Sequence, residues 1–172
     1  VPEITDEDVD RYADSLELDE QTKAKLIPPK PTHTQHDFLD RLIMSESSGK
    51  ADAEITIADG RRFVGKLQFG DARLRDYRNS TGETFTQDEF IQDTALQDKV
   101  AAWHLADLDK AIDALGDDAK GYDRNGLRAV GHLGGKGGMR QFVKSKGEHN
   151  PADELGTSLQ SYYDKFSNRD RA

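Results

Sequence analysis

Leu96, Val100, Trp103, Leu108, Ile112 and Leu115 recur at close to helical spacing and stop at Gly116, which predicts one long amphipathic helix in the second half of the chain. A helix of that length must bury its apolar stripe against something. The 172 residues are enough for one substantial core, so a single catalytic-size domain packed around this helix is expected. Shorter helices surround it in the sequence. Thr34 reads as the cap of a helix from Gln35 to about Ser47, ended by Gly49, with Phe38, Leu39, Leu42 and Ile43 on its apolar face. Thr86-Gln-Asp-Glu89 has the capping-box pattern and starts another. The remainder reads as helices over Gly126 to Leu133, Gly138 to Ser145, and from near Asn150-Pro151 to Phe166 with a break at Gly156.

One segment has a different period. Residues 54–64 contain two β-rich runs flanking Asp59-Gly60, the dipeptide favoured in a two-residue type I′ turn, which predicts a small β-hairpin. The expected class is therefore mainly α, an α+β chain with a long central helix and a small hairpin. Ahead of it, residues 1–33 read as an acidic arm with two helical segments, Asp6 to Leu16 behind a Thr5 cap and Glu20 to Ile27, closed by Pro28-Pro29-Lys30-Pro31 as a stiff connector. Residues 34–172 form the domain proper.

Composition removes several classes. Hydrophobic residues make up 34% and charged residues 33% of the chain, but the apolar residues are periodic enough to exclude wholesale disorder. With no cysteine, neither a disulfide framework nor a cysteine zinc site is available. A net charge of -9 and a pI near 5.0 weigh against a nucleic-acid partner, because phosphate binding needs clustered Lys and Arg. No apolar run approaches a membrane span. The chain opens with Val-Pro rather than a basic then apolar segment, so an export signal is expected to have been removed or never to have existed.

The first candidate for chemistry is Glu46. Positions 38, 42 and 46 lie at i, i+4 and i+8, so Glu46 continues the stripe of Phe38 and Leu42 on the core-facing edge of its helix. Partial burial and the negative end of the helix dipole both disfavour a carboxylate there, and together predict a raised pKa suited to a general acid. Periodicity alone favours the plainer reading, a solvated glutamate at a fraying helix end.

The surrounding motifs narrow that choice. Glu46-Ser47-Ser48-Gly49 followed by Gly65-Lys66-Leu67-Gln68-Phe69-Gly70 resembles the Glu-Ser and Gly-x-x-Gln motifs of lytic transglycosylases and goose-type lysozymes, in the lysozyme-like superfamily. Ala129-Val-Gly-His-Leu-Gly-Gly135 looks like that superfamily's Ala-Tyr-Asn-x-Gly segment. Order and spacing match over roughly Thr34 to Phe166. The resemblance implies a lysozyme-like fold, and a peptidoglycan muramidase in which Glu46 protonates the glycosidic oxygen between N-acetylmuramic acid and N-acetylglucosamine. It implies substrate-orienting roles for Ser47 and Gln68, no metal or cofactor, and glycan strands of bacterial cell wall as the partner, met in the periplasm, outside the cell or from a phage particle. A monomer is expected.

This sequence departs from the pattern at two positions: the family's Tyr falls on Gly131 and its Asn on His132. His132 or Tyr122 is then expected to hold the acid and the sugar. Hydrolysis needs a second carboxylate, whereas a transglycosylase lets the substrate's own 6-hydroxyl close a 1,6-anhydro ring. Asp59 is the candidate second group, with Glu54 and Asp71 also flanking the expected cleft, although the Asp-Gly turn is the leading explanation of Asp59. Transglycosylase is favoured over hydrolase. The rival is a catalytically inactive glycan-binding or structural module of the same fold, in a phage tail, a secretion apparatus or a localisation factor; a third reading is an enzyme acting on chitin or chitosan.

Other patterns are explained without function. His33-x-x-His36 lacks a third metal ligand, and Ser47-x-x-Lys50 falls at a helix end instead of a helix start. Gly131–Gly138 has Val130 and Gly137 where a phosphate loop needs Gly and Ser or Thr, and Gly121–Gly126 lacks the first aspartate of a calcium loop. Phe63, Phe69, Trp103, Tyr162 and Tyr163 are expected in the core.

Overall fold

The computed structural model describes residues 33–167, and the arm and Pro-rich connector expected over 1–33 lie, apart from His33, outside them. The order is α1 (His33–Ser47), β1 (Glu54–Thr56), β2 (Arg62–Val64), β3 (Phe69–Gly70), α2 (Asp71–Thr81), α3 (Gln87–Gln92), α4 (Thr94–Ala114), a 3-10 turn (Gly116–Ala119), α5 (Arg124–Lys144) and α6 (Leu159–Phe166). The described chain is mainly helical with one small antiparallel sheet in the order β1-β2-β3. No helix among the described residues is long and apolar enough to cross a membrane.

Short polar side chains set most of the boundaries. Thr86 Oγ1 accepts from Glu89 N at 3.1 Å while Glu89 Oε1 accepts from Thr86 N at 3.2 Å, closing the capping box of α3. Asp93 ends that helix and caps α4 by accepting from Leu96 N. Asp123 starts α5 and Ser158 starts α6 in the same way. The last helix therefore begins at Leu159 instead of near Pro151, because residues 150–157 are used in a loop bridged at Ala152 and Ser158. Thr34, expected as a cap, lies within α1. The two helices expected on either side of the glycine run are one element broken at Gly135, whose φ of 76° and ψ of 171° no helix contains.

The hairpin pairs Glu54 with Val64 and Thr56 with Arg62. Its turn is not the two-residue form. Gly60 N donates to Ile57 O at 2.9 Å and Ile57 N to Arg61 O at 3.0 Å, enclosing Ala58-Asp59-Gly60. Only Gly60 of the three takes positive φ, which is the three-residue loop with a bulge glycine; a type I′ turn would need it at Asp59 too. β3 adds a strand the sequence did not suggest, since two residues cannot display a period.

Two apolar clusters share α4 and α6. Phe38, Leu42, Val64, Phe69, Leu74, Phe90, Val100, Leu105 and Phe166 fill the first, and Ile112, Leu127, Met139, Phe142 and Leu159 the second. The sheet is fastened to this body by Gln97 of α4. Gln97 is buried; its Nε2 donates to Ala51 O at 2.9 Å and Phe90 O at 3.2 Å, and its Oε1 accepts from Lys66 N at 2.9 Å. Gly65 must be glycine beside it, because its φ is 84° and a Cβ would sit 2.7 Å from Gln97 Oε1.

Candidate functional site

The C-terminal end of α1, the hairpin, Gln68, the end of α5's first half and the 153–155 loop enclose an open cleft of about 520 Å3, a size suited to a small ligand or a few sugar units. Glu46, Ser47, Gln68 and His132 all line it. Glu46 reaches it because the stripe that buries Phe38 and Leu42 completely carries the next side chain to the edge of the core, where 18% of the Glu46 side chain remains exposed.

Two donors converge on one oxygen of that carboxylate. Tyr162 Oη donates to Glu46 Oε1 at 2.6 Å, and His132 Nε2 lies 3.2 Å from the same atom. Oε2 accepts no hydrogen bond from the described residues. Burial raises the Glu46 pKa, but the hydrogen bond and field of His132, the hydrogen bond from Tyr162 and the charge of Lys165 together outweigh it, so the carboxyl titrates below its ordinary value. The raised pKa expected from burial and the helix dipole is thereby corrected: the tertiary donors, invisible to a local reading, have the larger combined effect. Tyr162 is shifted upward in turn, by burial and by the adjacent carboxylate.

The other candidates are distributed unevenly. Ser47 is buried and its hydroxyl donates to Ile43 O at 3.1 Å, within its own helix. Gln68 holds a positive φ of 53°, and its Nε2 donates to Ala53 O at 3.0 Å and Gly65 O at 2.9 Å. Those bonds orient the side chain and leave its carbonyl oxygen unused by the described residues, an acceptor for a ligand hydroxyl. Tyr122 lies apart, packed edge-on against Phe142 and Tyr163 in the second cluster. Asp59 is also not in the cleft: it is exposed, accepting from Arg61 N and Nε at 3.0 and 2.8 Å as a turn residue does. Asp71 sits at the start of α2 with Arg75 and Arg78.

Gly131 has a structural reason. A Cβ there would lie 2.7 Å from Leu108 Cδ2, so a side chain at this point would force Leu108 of α4 to move where the two helices meet. The contacts to the acid come from His132, one of the two residues expected for that role, and from Tyr162 on α6, expected in the core as aromatic side chains usually are. His104, Asp153 and Glu154 likewise carry no motif in the sequence. Only the fold brings them near Glu46, and no local spacing marks them.

The remaining cleft carboxylates are occupied. Glu54 pairs with Arg62 at 2.7 Å, Glu154 with Arg61, and Asp153 Oδ1 accepts from Leu155 N and Thr157 N at 3.0 and 2.8 Å. The Arg61–Glu154 pair joins the hairpin to the 153–155 loop across the cleft mouth; both side chains are more than half exposed, so it contributes little energy. Comparison of the chain with protein-family models, with curated proteins and with solved structures returned no match.

Proposed function

We propose that this chain has a lysozyme-like fold and cleaves the glycan strands of peptidoglycan, with Glu46 as general acid and then general base. The observation that carries the reading is the Glu46 carboxylate itself, at a helix end on the wall of an open cleft beside a β-hairpin, anchored through Oε1 and open at Oε2. Its resemblance to the Glu-Ser, Gly-x-x-Gln and third glycine-rich motifs supplies the substrate class.

In the reaction, protonated Glu46 gives its proton to the oxygen linking N-acetylmuramic acid to N-acetylglucosamine as the C1–O bond breaks. The carboxylate so formed accepts the proton of the muramic 6-hydroxyl while that oxygen bonds to C1, which closes the anhydro ring and returns Glu46 to its acid form. Gln68 accepts a sugar hydroxyl through its free carbonyl. Transglycosylation is favoured over hydrolysis because Asp59 lies outside the cleft and Glu54, Asp153 and Glu154 are each engaged elsewhere. A carboxyl held below its ordinary pKa is protonated in few molecules at neutral pH, so turnover is fastest in acid.

Digestion of purified sacculi, followed by mass spectrometry of soluble products at acid and neutral pH, tests the proposal. Anhydro ends are expected, with more product in acid, and the Glu46→Gln variant is expected to yield none while keeping its circular dichroism. Cleavage by a folded Glu46→Gln protein would overturn the assignment, and reducing ends would change it to hydrolysis. One observation favours the rival, non-catalytic module: both donors stabilise the carboxylate, not the acid. Binding to sacculi with no soluble products would decide for it.

A further inference from the structure

An unbroken line of side chains leads away from Glu46. Glu46 Oε1 is 3.2 Å from His132 Nε2, His132 Nδ1 is 3.0 Å from His104 Nε2, and Arg73 Nε donates to His104 Nδ1 at 2.9 Å. It starts in the cleft and ends in a neighbouring depression lined in part by Arg73, Asp76 and Lys136. The far end is firmly placed. Arg73 Nη2 donates to Asp107 at 2.7 Å, Lys136 shares that carboxylate at 3.0 Å, and the guanidinium stacks 4.3 Å from the Trp103 ring.

The chemistry at that end has one sign only. A guanidinium donates and never accepts, so Nδ1 of His104 must offer a lone pair. His104 is buried, and burial together with the charges of Arg73 and Lys136 holds its imidazole neutral. A neutral imidazole carries one proton, which is left to Nε2 and points at His132 Nδ1. His132 Nδ1 is then an acceptor, and its own proton is on Nε2, facing Glu46.

We propose that Arg73 is a positioning residue for Glu46: acting through His104, it fixes His132 as the tautomer that donates from Nε2, so that the carboxylate always meets an N–H and never a lone pair. Tyr162 and Lys165 on α6 support the same charge state from the other side, while Arg61, Glu54, Asp153 and Glu154 face it from the cleft. The value of this device for cleavage rests on the proposed function. The tautomer itself does not.

Nitrogen-15 spectra of the full chain labelled at histidine read it directly. The expected result at neutral pH is a proton on Nε2 and none on Nδ1 of both His104 and His132. In His104→Phe, which keeps an aromatic ring against Phe69, and in Arg73→Met, the Nε2–H form of His132 is expected to lose population. The Glu46 titration, followed by carbon-13, is expected to move upward in both. A His132 proton on Nδ1 in the unaltered protein overturns the proposal without recourse to any variant, as does an unchanged His132 tautomer in both folded variants. A protein with the expected tautomers that releases nothing from sacculi would sink the muramidase reading alone.

Discussion

Tyr162 reaches Glu46 across more than a hundred residues of sequence, and its removal has a defined pH signature. Tyr162→Phe deletes the 2.6 Å bond to Glu46 and a 3.2 Å contact with Ser45 while keeping the ring against Phe166. It should cost about 1–2 kcal/mol at neutral pH, measured by urea unfolding, as expected for a partly exposed hydrogen bond to a charge. The folded pKa of Glu46 lies below its ordinary 4.5, so the stabilisation is present above that value and is lost as pH falls through the folded one. The gap between the two proteins should close in acid. A gap that stays constant with pH would show that Tyr162 stabilises by packing alone. Glu46 could be singled out in the sequence because it continues a visible stripe, and His132 because it interrupts a motif. Tyr162 and His104 could not, since each sits where an ordinary core residue of an amphipathic helix would sit.

At the level of elements, the tight contact of α5 with α6 depends on Gly126. A Cβ at that position would lie 2.5 and 2.6 Å from Cδ2 and Cε2 of Tyr163. That ring cannot easily yield, because its hydroxyl accepts from Asp123 N at 2.7 Å. Gly126→Ala gains about 1 kcal/mol of helix propensity, yet overpacking of this kind costs about 1–3 kcal/mol. We expect a net loss, seen as a Tm lower by a few degrees in calorimetry; an unchanged or raised Tm would mean that the helices can separate freely. The elements themselves were largely readable, and for particular reasons. The Thr86–Glu89 box and the stripe from Leu96 to Leu115 are local signals. Gly135 marks the break in α5 through a conformation that glycine alone takes readily. The hairpin loop is one residue longer than Asp-Gly suggests, because that dipeptide serves both a two-residue turn and a three-residue turn with a bulge. β3 is held by its partner strand and not by any pattern of its own.

For the whole molecule, a charge of -9 matters more than any single ion pair. Peptidoglycan is anionic, and the cleft adds four carboxylates, Glu46, Glu54, Asp153 and Glu154, against one arginine. On the proposed function, long-range repulsion should weaken capture at low salt, and raising ionic strength from about 10 to about 150 mM, which shortens the screening length from about 30 to about 8 Å, should increase co-sedimentation with sacculi. A decrease would place a compact basic contact at the binding face. The other global property comes from the single amide of Gln97. It gathers hydrogen bonds from the approach to the hairpin, from the end of α3 and from the residue after Gly65, all on one side chain of the central helix. The sheet cannot swing away from α4 without breaking the bonds at Ala51 and Lys66 together. The cleft is thus a preset gap whose width belongs to the fold, and a ligand entering it meets a wall already ordered, so that little of its binding free energy is consumed in stopping motion.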